Sequence, residues 1–317
     1  MKRILPLILL LSVSCASKKT SDRYREGNND GQVAALTVDE EKKLTSEALK
    51  EMSKEYPPVK NQKIQQYIKK LGQKIVQANK LGGNPYDYQF TAVDVPQVNA
   101  FAMPAGSVFI TIPIIAMADS EAEIAGVLGH EIGHVTARHT AERMYVAKKE
   151  QGKMWVLGGA GAALGGALGY VLGSKICAPN DLACKAKFTV YGAGGGGAAG
   201  LMVHKYHFMK NSQEDELESD RVGFRYAINA GYDKNKVGDF YSKLMKLEQD
   251  SKKGSNAVMN WFADSMSSHP PSKDRVAQAE ELKQKFSSTN GMSSSADFSE
   301  IKKEAMEIMR SYQSAKK

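Results

Sequence analysis

Apolar residues recur every three to four positions over most of the chain, a spacing that predicts a series of amphipathic helices. Thr37 and Glu40 stand at capping-box spacing and open a helix that the pattern carries to about residue 56. Pro57 and Pro58 separate it from a second helix over 61–80. Alternating aromatic and β-branched residues then predict strands at 86–95 and 108–112. Ser120 and Glu123 repeat the capping spacing and open a long helix expected to reach about residue 148. Helical periodicity returns at 213–230, 236–248 and 273–286, and again at 298–312 after a serine-rich stretch at 287–295. No internal repeat is visible. The expected fold is mainly α with a small β-sheet, an α+β domain over 37–286, followed by a linker and C-terminal helix over 287–317.

Two stretches break this pattern. Lys2 and Arg3 precede an apolar run at 4–11 that is too short for a permanent membrane span, and small residues then lead to Cys15. This is the layout of a secretory signal peptide over 1–14. It also resembles the bacterial lipobox, which would make Cys15 the lipidated first residue, although Ser12 stands where that motif usually has leucine. Ala16 in place of an aspartate points, by that resemblance, to the outer membrane. Residues 15–36 are polar and aperiodic and read as a lipidated flexible tether. About 20 such residues span about 25 Å. The second stretch, 154–203, is rich in glycine and alanine. It reads as an insertion that spans the membrane, touches it or forms a mobile loop, or packs as a helical hairpin.

Composition adds two points. The net charge of +8 is spread over amphipathic helices, and no nucleic-acid motif accompanies it, so no nucleic-acid partner is expected. Besides Cys15 the chain has only Cys177 and Cys184, which flank a turn-rich sequence. In an oxidising compartment they could close a small disulfide loop.

The chemistry is concentrated in His130-Glu131-Ile132-Gly133-His134. Residues four apart share a helix face, so both imidazoles can reach one metal ion while Glu131 leans over it as general base. Zinc lowers the pKa of a coordinated water to about 7, within reach of a carboxylate base. His139 lies about 140° around a continuous helix from His134, which suits a surface or ligand-supporting role. A catalytic zinc needs a third protein ligand. Glu216, Asp220 and Gly223 fall on one helical stripe, so Glu216 could ligate while Asp220 fixes an imidazole tautomer and Gly223 admits a neighbouring helix. Glu214 and Glu218 would point elsewhere. An acidic cluster of this kind can equally be a solvated helix face.

These motifs, with 99–106 (Asn-Ala-Phe-Ala-Met-Pro-Ala-Gly) and Ser268-His269-Pro270-Pro271, occur in the order found in one family. The chain resembles the gluzincin metalloproteases that include the CAAX prenyl protease, HtpX, BepA and LoiP, and most of all the compact LoiP and BepA type of periplasmic lipoprotein peptidase. The resemblance covers about 42–282 and implies a zincin-like domain holding one zinc ion through His130, His134 and Glu216. Ser219 departs from the family's usual alanine. By the same resemblance Asn99, Ala100 and Phe101 border the substrate cleft. His269 would act as a switch that approaches the metal, or help an oxyanion, or simply fix its loop. The implied function is peptide-bond hydrolysis of unfolded or misassembled envelope proteins at the periplasmic face of the outer membrane. The rival reading is a zinc-loaded but latent chaperone or assembly factor.

Overall fold

A computed structural model describes residues 26–29, 32, 34, 36–83, 85–145, 211–252, 269, 272–287 and 291–314. The expected signal peptide at 1–14, Cys15, the stretch 154–203 and the Cys177/Cys184 pair lie outside the described residues. Among those residues no helix is long and apolar enough to cross a membrane.

The Thr37 capping box forms as expected: its hydroxyl accepts from Glu40 N, and Glu40 Oε2 accepts from Thr37 N, opening α1 (Val38–Glu55). Asn61 caps α2 (Gln62–Ala78), which buries Ile64, Ile68, Leu71 and Ile75 as one stripe. Strands β1 (Gln89–Val93), β2 (Ala100–Ala102) and β3 (Ser107–Thr111) form a sheet of order β1-β3-β2. The central β3 is parallel to β1 and antiparallel to β2. It is buried throughout because both faces are covered. Val108 and Ile110 enter the main core with α2, whereas Phe109 joins Val93, Phe101 and Met52 beneath α1.

After α3 (Ile112–Met117) comes α4 (Glu121–Thr136), which carries the HExxH residues and packs against α2, β2 and β3. Every residue from Glu121 to Val135 is buried. Its N-terminal box is half made. Ser120 accepts from Glu123 N, but Glu123 Oε2 accepts from Asp119 N and from Lys243 Nζ at 2.9 Å.

The helix does not run on to residue 148. It stops at Thr136, Arg138 takes a left-handed φ of 53°, and helical backbone resumes at His139. The cause is tertiary. Asn29 Nδ2 donates to Thr136 O, Gln32 Nε2 to Ala137 O, and Arg138 donates to Leu36 O and Glu41 Oε1. Side chains about a hundred residues away thus satisfy the carbonyls that a continuing helix would have used. The same bonds revise the expected tether, since the described part of residues 26–36 is docked on the domain.

Beyond the glycine-rich stretch, α5 (Gln213–Asn229) lies along α4. Instead of one helix at 236–248, α6 (Lys234–Val237) and α7 (Asp239–Lys252) meet at Gly238. Then follow α8 (Lys273–Lys285) and α9 (Phe298–Ser314). The serine-rich stretch before α9 is packed where it is described. Ser294 and Ser295 bond Glu121 at the start of α4, and Met292 exchanges backbone hydrogen bonds with Gly231 and Asp233. Helix α9 itself buries Phe298, Ile301 and Ala305.

Small residues set the spacing of α4 and α5. A Cβ on Gly223 would lie 2.4 Å from His130 N, and one on Gly129 would lie 2.6 Å from Gly223 O. Gly133 faces the Ser219 backbone in the same way. The close approach expected at Gly223 is therefore present, and it brings the acidic stripe of α5 directly onto the HExxH face.

Candidate metal centre

Side chains from three segments converge where α4 meets α5. His130 and His134 rise from one face of α4, Glu216 from the first turn of α5, and His269 from the segment before α8; their ligand atoms lie within 4.8 Å of one another. His130 Nε2 and His134 Nε2 are 3.0 Å apart, and they stand 3.4 and 3.3 Å from the Glu216 oxygens. A tetrahedral zinc with ligand distances of about 2.0–2.1 Å places its donors about 3.3–3.4 Å apart. The donor set of imidazoles and carboxylate suits the same ion. Asn211 also lines the site, donating through Nδ2 to Glu216 Oε1, while its buried Oδ1 has no hydrogen-bond partner. Protein groups alone thus leave the polar accounting of this pocket incomplete. The residues present fit a bound divalent cation.

Around the site each ligand is braced. Asp220 Oδ1 lies 2.8 Å from His130 Nδ1, so a His130 that ligates a metal would keep its proton on Nδ1 and turn Nε2 to the ion. Burial disfavours the His130 imidazolium, but the carboxylates of Glu216 and Asp220 outweigh it and lift its pKa to about 9. Burial instead dominates at His134 and holds its pKa well below the ordinary histidine value. Glu216 is buried, which would raise its pKa, yet the charges of His269 and Arg275 hold it well below the usual carboxylate range. Glu131 is 3% exposed, and its Oε1 lies 3.7 Å from His269 Nε2, so it reaches the same small space as the ligands.

Arg275 was not singled out from sequence. It is 3% exposed and grips Asp220 with two bonds of 2.7 Å while Nη1 reaches Glu216 Oε2 at 2.7 Å. Its guanidinium stacks 4.6 Å above the Tyr241 ring. A signal was available: Ser272 caps α8 through Arg275 N, so a cation occupies the first helical turn, where the macrodipole favours acids. A charge placed against local preference points to a tertiary partner.

Other expected residues land as follows. Asn99 bonds Thr111 through its backbone, and Ala100 and Phe101 are buried. Phe101 stacks on Phe109 and meets the edge of Tyr56. The Ala100 and Phe101 side chains belong to the core, and β2 is an edge strand of the described sheet. His139 does not lie on the surface: it is fully buried, with Nδ1 2.8 Å from His134 Nδ1. Glu218, expected to point away, turns inward to His139 Nε2 at 3.0 Å.

A buried helix with two histidines and a glutamate, faced by a helix that supplies a carboxylate, defines a zincin-like metallopeptidase domain. Comparison with known proteins narrows this: the profile of Peptidase family M48 matches residues 60–283, and the chain belongs to that family. Among curated relatives, the beta-barrel assembly-enhancing protease of Yersinia pestis is 28% identical over 67% of this chain and 39% of its own length. The protease of the same name from Escherichia coli is 25% identical over 78% and 44%. The mitochondrial metalloendopeptidase OMA1 of Arabidopsis thaliana is 28% identical over 72% and 38%. The chain thus spans about two fifths of the length of these relatives.

Proposed function

We propose that this chain is a zinc-dependent endopeptidase of the bacterial cell envelope that hydrolyses unfolded or misassembled proteins. The observation that carries the reading is the convergence of His130, His134 and Glu216 with Glu131 beside them. Those three residues would hold the ion, and a bound zinc supplies Lewis acidity that polarises water and the scissile carbonyl. Glu131 then accepts the proton of the attacking water at its carboxylate and passes it to the leaving amine. Asp220 and Arg275 keep His130 in the tautomer that binds through Nε2. The edge of β2 would hold an extended segment of substrate by backbone pairing. The sequence layout around Cys15 supports a lipid anchor at the periplasmic face of the outer membrane. The names of the beta-barrel assembly-enhancing proteases are consistent with an envelope role.

The test is cleavage of an unfolded protein by the full chain and by Glu131→Gln, with zinc content measured in both. The expected result is equal zinc and a loss of cleavage of about 100-fold or more in the variant. Equal cleavage by both, or cleavage insensitive to chelator, would sink the reading.

One observation favours a second state. His269 Nδ1 lies 3.0 Å from Glu216 Oε1 and 3.3 Å from His130 Nε2, inside the ligand cluster. Four protein ligands make a closed site, whereas a catalytic site keeps one position open. In this reading the resting chain is latent, and His269→Ala cleaves faster than the parent while keeping its zinc.

A further inference from the structure

The hydrolytic scheme just described assigns no step to His139 or Glu218, although both are 0% exposed. Their hydrogen bonds form one continuous chain. His134 Nδ1 lies 2.8 Å from His139 Nδ1, and His139 Nε2 lies 3.0 Å from Glu218 Oε2. The other oxygen, Glu218 Oε1, accepts from Gly27 N at 2.9 Å. Ser219 Oγ also approaches His139 Nδ1, at 3.3 Å.

Proton bookkeeping allows one arrangement once His134 Nε2 ligates a metal ion. Nε2 is the nitrogen that faces His130 and Glu216, so a ligating His134 carries its proton on Nδ1 and donates it to His139 Nδ1. His139 must then carry its own proton on Nε2, and it donates that proton to Glu218. Glu218 meets two donors, His139 Nε2–H and Gly27 N–H, one at each carboxyl oxygen.

The geometry exists because α4 ends early. On a continuous helix His139 would face about 140° away from His134. The left-handed turn at Arg138 swings it back beneath the ligand. The segment that ends the helix is also the one that holds Glu218. Gly27, with φ of 77°, aims its N–H inward, and Glu26 fixes the segment through Arg221 at 2.5 Å.

We propose that His139 and Glu218 are positioning residues that set the tautomer and orientation of the His134 ring for metal binding, with the Gly27 N–H holding Glu218 in place. The N-terminal segment thereby becomes part of the metal site. This rests on the zinc reading above.

The experiment compares zinc affinity of the full chain by chelator competition, with the absorption spectrum of the Co(II) form as a second readout. Five proteins are needed: the parent, His139→Gln, His139→Leu, Glu218→Gln and Gly27→Pro. Glutamine at 139 keeps an acceptor for His134 and a donor for Glu218, whereas leucine keeps only bulk. Glu218→Gln can satisfy just one of its two donors, and Gly27→Pro removes the N–H and also displaces the segment, since proline cannot adopt the φ of 77° found there. The expected result is a loss of zinc affinity of about 10- to 100-fold in His139→Leu, Glu218→Gln and Gly27→Pro, with altered Co(II) bands, and near-parental binding in His139→Gln. Circular dichroism before metal addition identifies any variant that fails to fold, and the isosteric Glu218→Gln carries the test in that event. Parental affinity in His139→Leu and Glu218→Gln alike, or leucine binding zinc better than glutamine at 139, overturns the proposal while leaving the zinc reading intact. A parent chain that binds no zinc overturns the zinc reading itself, and this proposal with it.

Discussion

Arg275 is the buried cation that braces the ligand cluster. Asp220 and Glu216 share it within bonding distance. Burial would lower its pKa, but those two carboxylates hold it above the ordinary arginine value. Removing one partner of a buried ion pair costs about 3–5 kcal/mol, because the charge left behind has lost both water and its counterion. Arg275→Met is therefore expected to lower the unfolding free energy obtained from urea titration by an amount in that range, with a correspondingly lower midpoint. Added zinc should recover part of the loss, since a divalent cation beside Glu216 replaces some of the missing charge. An unchanged midpoint would show that solvent reaches these carboxylates after all.

The α4–α5 seam governs the site at the scale of elements. A helix with two ligands four residues apart can share one ion with a ligand on a second helix only if their backbones come close, and Gly129, Gly133 and Gly223 permit this. The backbone atoms that a new Cβ would meet cannot rotate away, so Gly223→Ala must push the helices apart by about 1 Å to restore normal contact. Overpacking of this kind costs about 1–3 kcal/mol. The expected outcome is a folded but less stable chain whose zinc content, measured by atomic absorption, falls well below one ion per chain. Full zinc occupancy in this variant would mean that the ligands can follow the displaced helix.

At the scale of the molecule, both ends of the described chain return to α4. The N-terminal segment terminates it, and the residues before α9 bind Glu121 at its first turn together with Tyr67 and Tyr232. A chain cut after Phe286 would lose the buried Phe298 and Ile301, worth roughly 4 kcal/mol of apolar burial, as well as the Ser295 bonds to Glu121. We expect it to melt at a markedly lower temperature than the full chain in a thermal scan. A melting point within a degree of the parent would make the final helix the loosely linked appendage that its serine-rich approach suggested.

Helix positions, the capping box of the first helix, the paired histidines and the acidic stripe were legible in the sequence because each depends on neighbours within about one helical turn. Local periodicity fixes which residues share a face, and it set His130 with His134, and Glu216 with Asp220, along their own helices. The inward turn of Glu218, the return of His139 and the place of Arg275 were not legible in that way. Each is decided by a partner far along the chain: Gly27 lies 191 residues from Glu218, His139 lies 79 from it, and Arg275 lies 55 from Asp220. The end of α4 belongs to the same class, since the helical pattern continues past Thr136 and only the docked N-terminal segment stops it. Buried polar groups must find partners wherever the fold brings donors and acceptors together, and tertiary structure alone makes those pairings.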